Sequence, residues 1–147
     1  MKKIFLMLAL IATVAATTVF ANDDPKVNPR VQESFKKEFP GAQYVKWDKD
    51  QDYFKVIFVL ADYRAEAWFS TDGELLGTTR DLLYDQLPLA VMKELEKKFP
   101  IANATEIKEV TNNYGTLYKL VLEDKKCSYR ISATPNGEIS VTEKIKK

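Results

Sequence analysis

The chain has 147 residues, 46% hydrophobic and 29% charged, a composition that buries a core and excludes a disordered chain. Its 22 basic and 21 acidic residues leave a formal charge of +1, so the basic excess of a nucleic-acid-binding surface is missing and no nucleic-acid partner is expected. There is no histidine and one cysteine, which excludes histidine-based triads, histidine–zinc sites and an intramolecular disulfide.

Residues 1–21 read as a secretory signal peptide. Met1-Lys2-Lys3 is the basic start, Ile4 to Val14 the apolar run, and Val19-Phe20-Ala21 puts small residues where cleavage after Ala21 needs them. The apolar run is short for a membrane span, so no membrane insertion is expected after cleavage. Residues 22–28 are polar, contain Pro25 and read as a loose leader.

The rest of the chain is organised around a stretch that occurs twice. Val31, Phe35 and Phe39 recur every four residues and end at Pro40; Val91, Leu95 and Phe99 do the same and end at Pro100. Each spacing predicts an amphipathic helix stopped by proline. Asn28 and Pro29 supply a cap and a first turn for the first helix, and Pro88 begins the second. Strands are predicted at 42–47, 53–60, 63–70 and 75–80 after the first helix, and at 103–110, 116–123, 126–133 and 139–145 after the second. Residues 82–87 connect the two units, 29–81 and 88–147, with a short helical turn.

The helices correspond at an offset of 60, whereas Asp72-Gly73-Glu74-Leu75 corresponds to Asn136-Gly137-Glu138-Ile139 at an offset of 64. The difference belongs in the loop between the first two strands of each unit, where length changes cost little. The expected fold class is α+β: two tandem α-β4 repeats, an antiparallel sheet, and both helices packed on one face.

Strand alternation assigns the faces. Phe54, Val56 and Phe58, with Tyr63, Ala65, Ala67 and Phe69, are matched in the second unit by Tyr118, Leu120, Leu122, Cys127, Tyr129, Ile131 and Ala133. These mainly apolar positions are assigned to the helix-covered face, with Cys127 as a small buried residue. The opposite face of the first unit carries Lys55, Ile57, Val59, Arg64, Glu66 and Trp68, joined by Tyr44 and Lys46 from the first strand. Apolar anchors among charges have the composition of a protein-binding surface. Tyr44, Ile57, Val59 and Trp68 are the candidate anchors, and Lys46, Lys55, Arg64 and Glu66 the candidate register-setting charges.

Other motifs carry little. Asp48-x-Asp50-x-Asp52 opens like a calcium loop but has Tyr53 where glycine is required and Val59 in place of the closing glutamate, so a solvated turn is expected. Asp62 and Glu66 could serve acid–base chemistry only if a cleft brought them together. No catalytic residue, cofactor or metal ligand is assigned.

Phe39-Pro40-Gly41-Ala42, Val45-Lys46-Trp47 and Asp72-Gly73-Glu74, in that order and partly duplicated, resemble the PepSY-like periplasmic proteins. That family is similar in fold to the beta-lactamase-inhibitor protein. The resemblance implies a non-enzymatic protein, periplasmic or secreted, from a Gram-negative bacterium. It further implies binding of a periplasmic or extracellular protein through the open sheet face, in the manner of an inhibitor of a peptidase or another hydrolase. The alternative is a small-ligand-binding or cell-envelope sensor module, with its pocket between helices and sheet.

Overall fold

The computed structural model describes residues 25–147, so the expected signal peptide lies outside the described residues. Asn28 accepts the Arg30 amide at 3.0 Å and Pro29 occupies the first turn, which together start α1 (Pro29–Glu38). Phe39 closes the helix with its amide on the Phe35 carbonyl, and Pro40 stops continuation. Val27, in the stretch read as a loose leader, is buried against the same core as α1.

Four strands follow, β1 (Gln43–Lys49), β2 (Tyr53–Leu60), β3 (Tyr63–Ser70) and β4 (Leu75–Asp81). A 3-10 turn over Tyr84–Gln86 leads to α2 (Leu89–Lys98), then β5 (Asn103–Asn112), β6 (Gly115–Glu123), β7 (Cys127–Ala133) and β8 (Ile139–Lys146). All eight strands form one antiparallel sheet in sequence order. The tight β2–β3 turn places Ala61 and Asp62 at φ +48° and +67°, the twist that suits a two-residue hairpin.

Two apolar clusters form beneath the helices. Val31 and Phe35 of α1 are buried with Phe54, Val56, Phe58, Ala67 and Phe69. Phe35 meets Trp47 and Phe58 edge to face, with ring centroids 5.3 and 5.1 Å apart, and Phe39 covers Phe58 at 4.7 Å. Burying a Phe58-sized side chain stabilises the fold by about 2–3 kcal/mol. Val91 and Leu95 of α2 are buried with Ile107, Tyr118, Leu120, Leu122, Ile131 and Ala133. Leu82 and Leu87 of the connection join this second cluster.

Between the clusters the sheet is polar. Phe58, Ala65, Arg80, Glu109, Tyr118, Ala133 and Ile139 form one continuous row of direct cross-strand partners from β2 to β8. Direct partners project to the same side of a sheet. At the middle of the row Arg80 bridges Glu109 at 3.1 Å, and Glu109 also accepts the Tyr118 hydroxyl at 3.3 Å.

The two Gly turns are docking points. Gly73 sits at φ +90°, where a Cβ would meet the Arg30 carbonyl oxygen at 3.1 Å. Gly137, also at φ +90°, is tighter, at 2.8 Å from the Ala90 carbonyl oxygen. Each hairpin tip therefore presses on the first turn of a helix, and glycine is required for both the backbone angle and the approach. Gly41 shares a positive φ but has open space around it. Gly137→Ala is expected to cost about 2–3 kcal/mol against about 1 kcal/mol for Gly41→Ala, because only the former adds a backbone clash to the left-handed penalty. Urea denaturation of the two variants checks the order.

Candidate functional site

The sheet face opposite the two clusters is defined by register. One row runs Lys46, Ile57, Glu66, Thr79, Val110, Leu117 across β1 to β6. The next runs Asp48, Lys55, Trp68, Gly77, Asn112, Gly115. A third contains Asp81, Lys108, Lys119, Ser132 and Ser140.

Glu66 is the charged centre of this face. It is 7% exposed, yet its carboxylate takes Lys55 Nζ at 3.0 Å and Arg64 at 2.9 Å. Arg64 also reaches Asp81 at 3.4 Å, and Asp81 takes Lys108 at 3.5 Å. Burial pushes the Glu66 carboxyl up. The Lys55 hydrogen bond and the charges of Lys55, Lys108 and Arg64 outweigh it and hold the group below its ordinary value. Glu66 is thus a fixed anion, unsuited to donate a proton near neutral pH. Asp62, considered with it for acid–base chemistry, instead occupies the β2–β3 turn.

Trp68 lies half-buried in the row beside Glu66, with Lys55 Nζ 5.7 Å from its ring centroid. Next to it across β3–β4 is Gly77, where a Cβ would come within 3.0 Å of the Thr111 carbonyl oxygen. Glycine here lets β4 and β5 approach and leaves a gap beside the indole. The result is an open groove of about 550 Å³, lined by Trp68, Leu76, Gly77 and Val110 with Glu66, Lys108 and Lys119 among its polar residues.

Of the residues expected to form the site, Glu66 and Trp68 line the groove. Lys55 and Ile57 are their cross-strand partners on β2, and Arg64 is bonded to Glu66. Val59 pairs with Arg64 and Gln43 nearer the β1 edge. Lys46 is beside Ile57, whereas Tyr44 stands in a bulge of β1 at φ +52° and is 82% exposed. The groove reaches further than the sequence reading did: Leu76, Lys108, Val110 and Lys119 come from β4, β5 and β6. The available signal was the pairing of β4 with β5, hidden because neither strand alternates cleanly.

The calcium-like aspartates serve local turns. The Asp48 and Asp50 carboxylates accept the next residues' amides at 2.9 and 2.6 Å. Among the described residues no group of three potential His, Cys, Asp or Glu ligands converges. On the helix side a separate cleft of about 510 Å³ lies between the end of α1 and β1, lined by Phe35, Phe39, Val45 and Trp47 among others. Among the described residues no helix is long and apolar enough to cross a membrane.

A long antiparallel sheet carrying two helices, with an open face bearing a buried anion and an apolar groove, places the chain in the α+β class of sheet-and-helix proteins. It belongs to the family described as "Putative beta-lactamase-inhibitor-like, PepSY-like", which matches residues 52–144. Three solved structures share the fold. One described as a "putative periplasmic" protein of Bacteroides eggerthii DSM 20697 superposes with a TM-score of 0.71 at 23% identity, covering 82% of this chain and 88% of that one. A DUF2874 family protein from Bacteroides uniformis ATCC 8492 gives 0.70 at 20%, covering 81% and 88%. A BLIP-like protein from Bacteroides fragilis NCTC 9343 gives 0.68 at 19%, covering 81% and 85%. No curated protein sequence is significantly similar.

Glu66→Gln tests the ion network. The folded pKa of Glu66 lies below its ordinary 4.5, so its contribution is present above that value and is lost as pH falls through the folded pKa. The variant should be less stable by about 1–2 kcal/mol at pH 7, since half-exposed Lys55 and Arg64 can regain water. The gap should close as pH falls through the folded pKa, below the ordinary 4.5, and thermal unfolding from pH 7 into the acid range reads it.

Proposed function

We propose that this protein is a non-enzymatic, secreted binding module of the periplasm that holds a partner protein on the open sheet face. Inhibition of a peptidase or another hydrolase is the form of binding that its family's description favours. The observation that carries the reading is the groove at Trp68: an indole, a leucine and a valine left uncovered beside a neutralised glutamate, on the side away from both cores. Tyr44, Ile57, Val59 and Trp68 act as anchors, and Lys46, Lys55, Arg64 and Glu66 set register. The exposed Tyr44, held in a left-handed bulge, fits that role, since such strain accumulates at binding sites.

The architecture behind this is two copies of an α-β4 unit with both helices on one face. Three features support it. The element order repeats, the Gly73 and Gly137 turns contact Arg30 and Ala90 at matching helix positions, and the Phe58-to-Ile139 row carries residues of both cores on one side. Periplasmic residence rests on the signal-like residues 1–21 and on the "periplasmic" description of a structural relative.

Trp68→Ala should abolish partner capture from a periplasmic extract of the source organism while the melting temperature falls by only a few degrees. A fall of many degrees would mean that Trp68 is core and would sink the reading. The small-ligand alternative draws on the aromatic cleft beside α1. It predicts a thermal shift with a metabolite and indifference to Trp68→Ala.

A further inference from the structure

The chemistry of the groove indicates what kind of partner segment it takes. Its floor is apolar, built by Trp68, Leu76 and Val110 around the gap at Gly77. Its charged rim is uneven. Glu66 is already neutralised by Lys55 and Arg64, and Asp81 is shared between Arg64 and Lys108. Lys119 has no ion-pair partner among the described residues, and it lies directly opposite Lys108 across β5–β6. Direct cross-strand partners have Cβ atoms about 5 Å apart, and like charges placed so destabilise a sheet. Strand pairing alone gives no reason to place two lysines there.

Glu106, with Arg130 in the neighbouring depression, is exposed and also makes no ion pair among the described residues. It bonds neither lysine: Lys108 is held at 3.5 Å by Asp81, which is shared with Arg64, and Lys119 is left without a bonded counter-ion among the described residues. Lys119 lines both depressions, so an anion seated beside it would meet Lys108 as well.

We propose that the groove recognises an extended acidic–apolar segment of a partner protein: a large apolar side chain packs on Trp68 and Val110, and a neighbouring carboxylate binds Lys119 and Lys108. This deepens the binding reading above and rests on it. The free protein retains the lysine repulsion, and the bound carboxylate relieves it. Recognition is therefore selective for sign as well as for apolarity.

The test uses eight-residue peptides alternating Glu with Phe, the same peptides with Lys replacing Glu, and a Glu–Gly series without apolar groups, titrated into isotope-labelled protein. The Glu–Phe peptide should shift the Trp68 indole signal and the Val110 and Lys119 amides, and the other two series should not. Lys119→Glu should weaken its binding roughly tenfold, and Lys125→Glu, the same charge change at the exposed β6–β7 turn, by less than twofold. Absence of binding, shifts confined to other surfaces, equal binding of the Lys–Phe peptide, or equal effects of the two variants would each overturn the proposal. Partner capture that still depends on Trp68 in any of those cases would leave the binding reading standing and remove only the acidic–apolar specificity. Loss of that dependence would remove both.

Discussion

The pairing of β4 with β5 is the constraint on which the rest depends. Five direct residue pairs, from Gly77 with Asn112 to Asp81 with Lys108, join two four-stranded halves into one sheet. Because side chains alternate, this register also decides the side on which every downstream residue points. A slip of one residue would move Tyr118, Leu120 and Ile131 out of the second cluster and put Lys119 and Arg130 into it. The seam is ionic on each side: Arg80 with Glu109 in the row between the clusters, and Asp81 with Lys108 on the groove face. Partly exposed pairs of this kind contribute little to stability. Their effect here is on register, since a slipped strand would leave each charge opposite the wrong partner.

That seam explains why the clusters remain separate and why the groove lies where it does. The helices cover β2–β3 and β6–β7, where phenylalanine, leucine and isoleucine are concentrated. Among the described residues no helix covers the groove side of β4–β5, and glycine at 77 replaces a side chain in its middle. Burying Glu66 nearby is tolerable only because two cations meet it. Its fixed charge in turn holds Lys55 over the Trp68 ring and Arg64 toward Asp81. The polar network keeps the indole in place while leaving its outer surface accessible.

Much of this was legible in the sequence, for identifiable reasons. β2 and β3 begin and end where they were predicted, because apolar residues hold every second position there, Phe54, Val56 and Phe58 in β2 and Ala65, Ala67 and Phe69 in β3, between good turns. The helix limits followed from Asn28, Pro29 and the Phe-Pro pairs. The β5–β6 hairpin extends further than predicted, with β5 running to Asn112 and β6 starting at Gly115. Thr111 and Thr116 join their hydroxyls across it at 3.0 Å, a cross-strand contact that polarity alone disguised as loop. Val27 was missed because one valine among polar residues has no period. The groove was missed in part because it is shared by strands from both halves. Leu-Leu-Gly-Thr-Thr-Arg-Asp and Asn-Ala-Thr-Glu-Ile-Lys-Glu-Val-Thr-Asn each give weak alternation, and neither announces the other as its neighbour.

The same physics limits what a shared fold says about function. At 19–23% identity, the structural relatives establish the sheet-and-helix architecture. That architecture is specified by apolar periodicity, the two docking glycines and the turn chemistry. Many surfaces are compatible with those requirements, because side chains on the open face alternate with the core positions and are decoupled from them. In the proposed binding reading, partner choice resides in features the fold leaves free: the indole, the gap beside it and the facing lysines. Lys108 and Lys119 are informative because folding gains nothing from their juxtaposition. A sheet optimised only for stability would place opposite charges at that pair, as it does at Arg80 and Glu109 one residue further along β5.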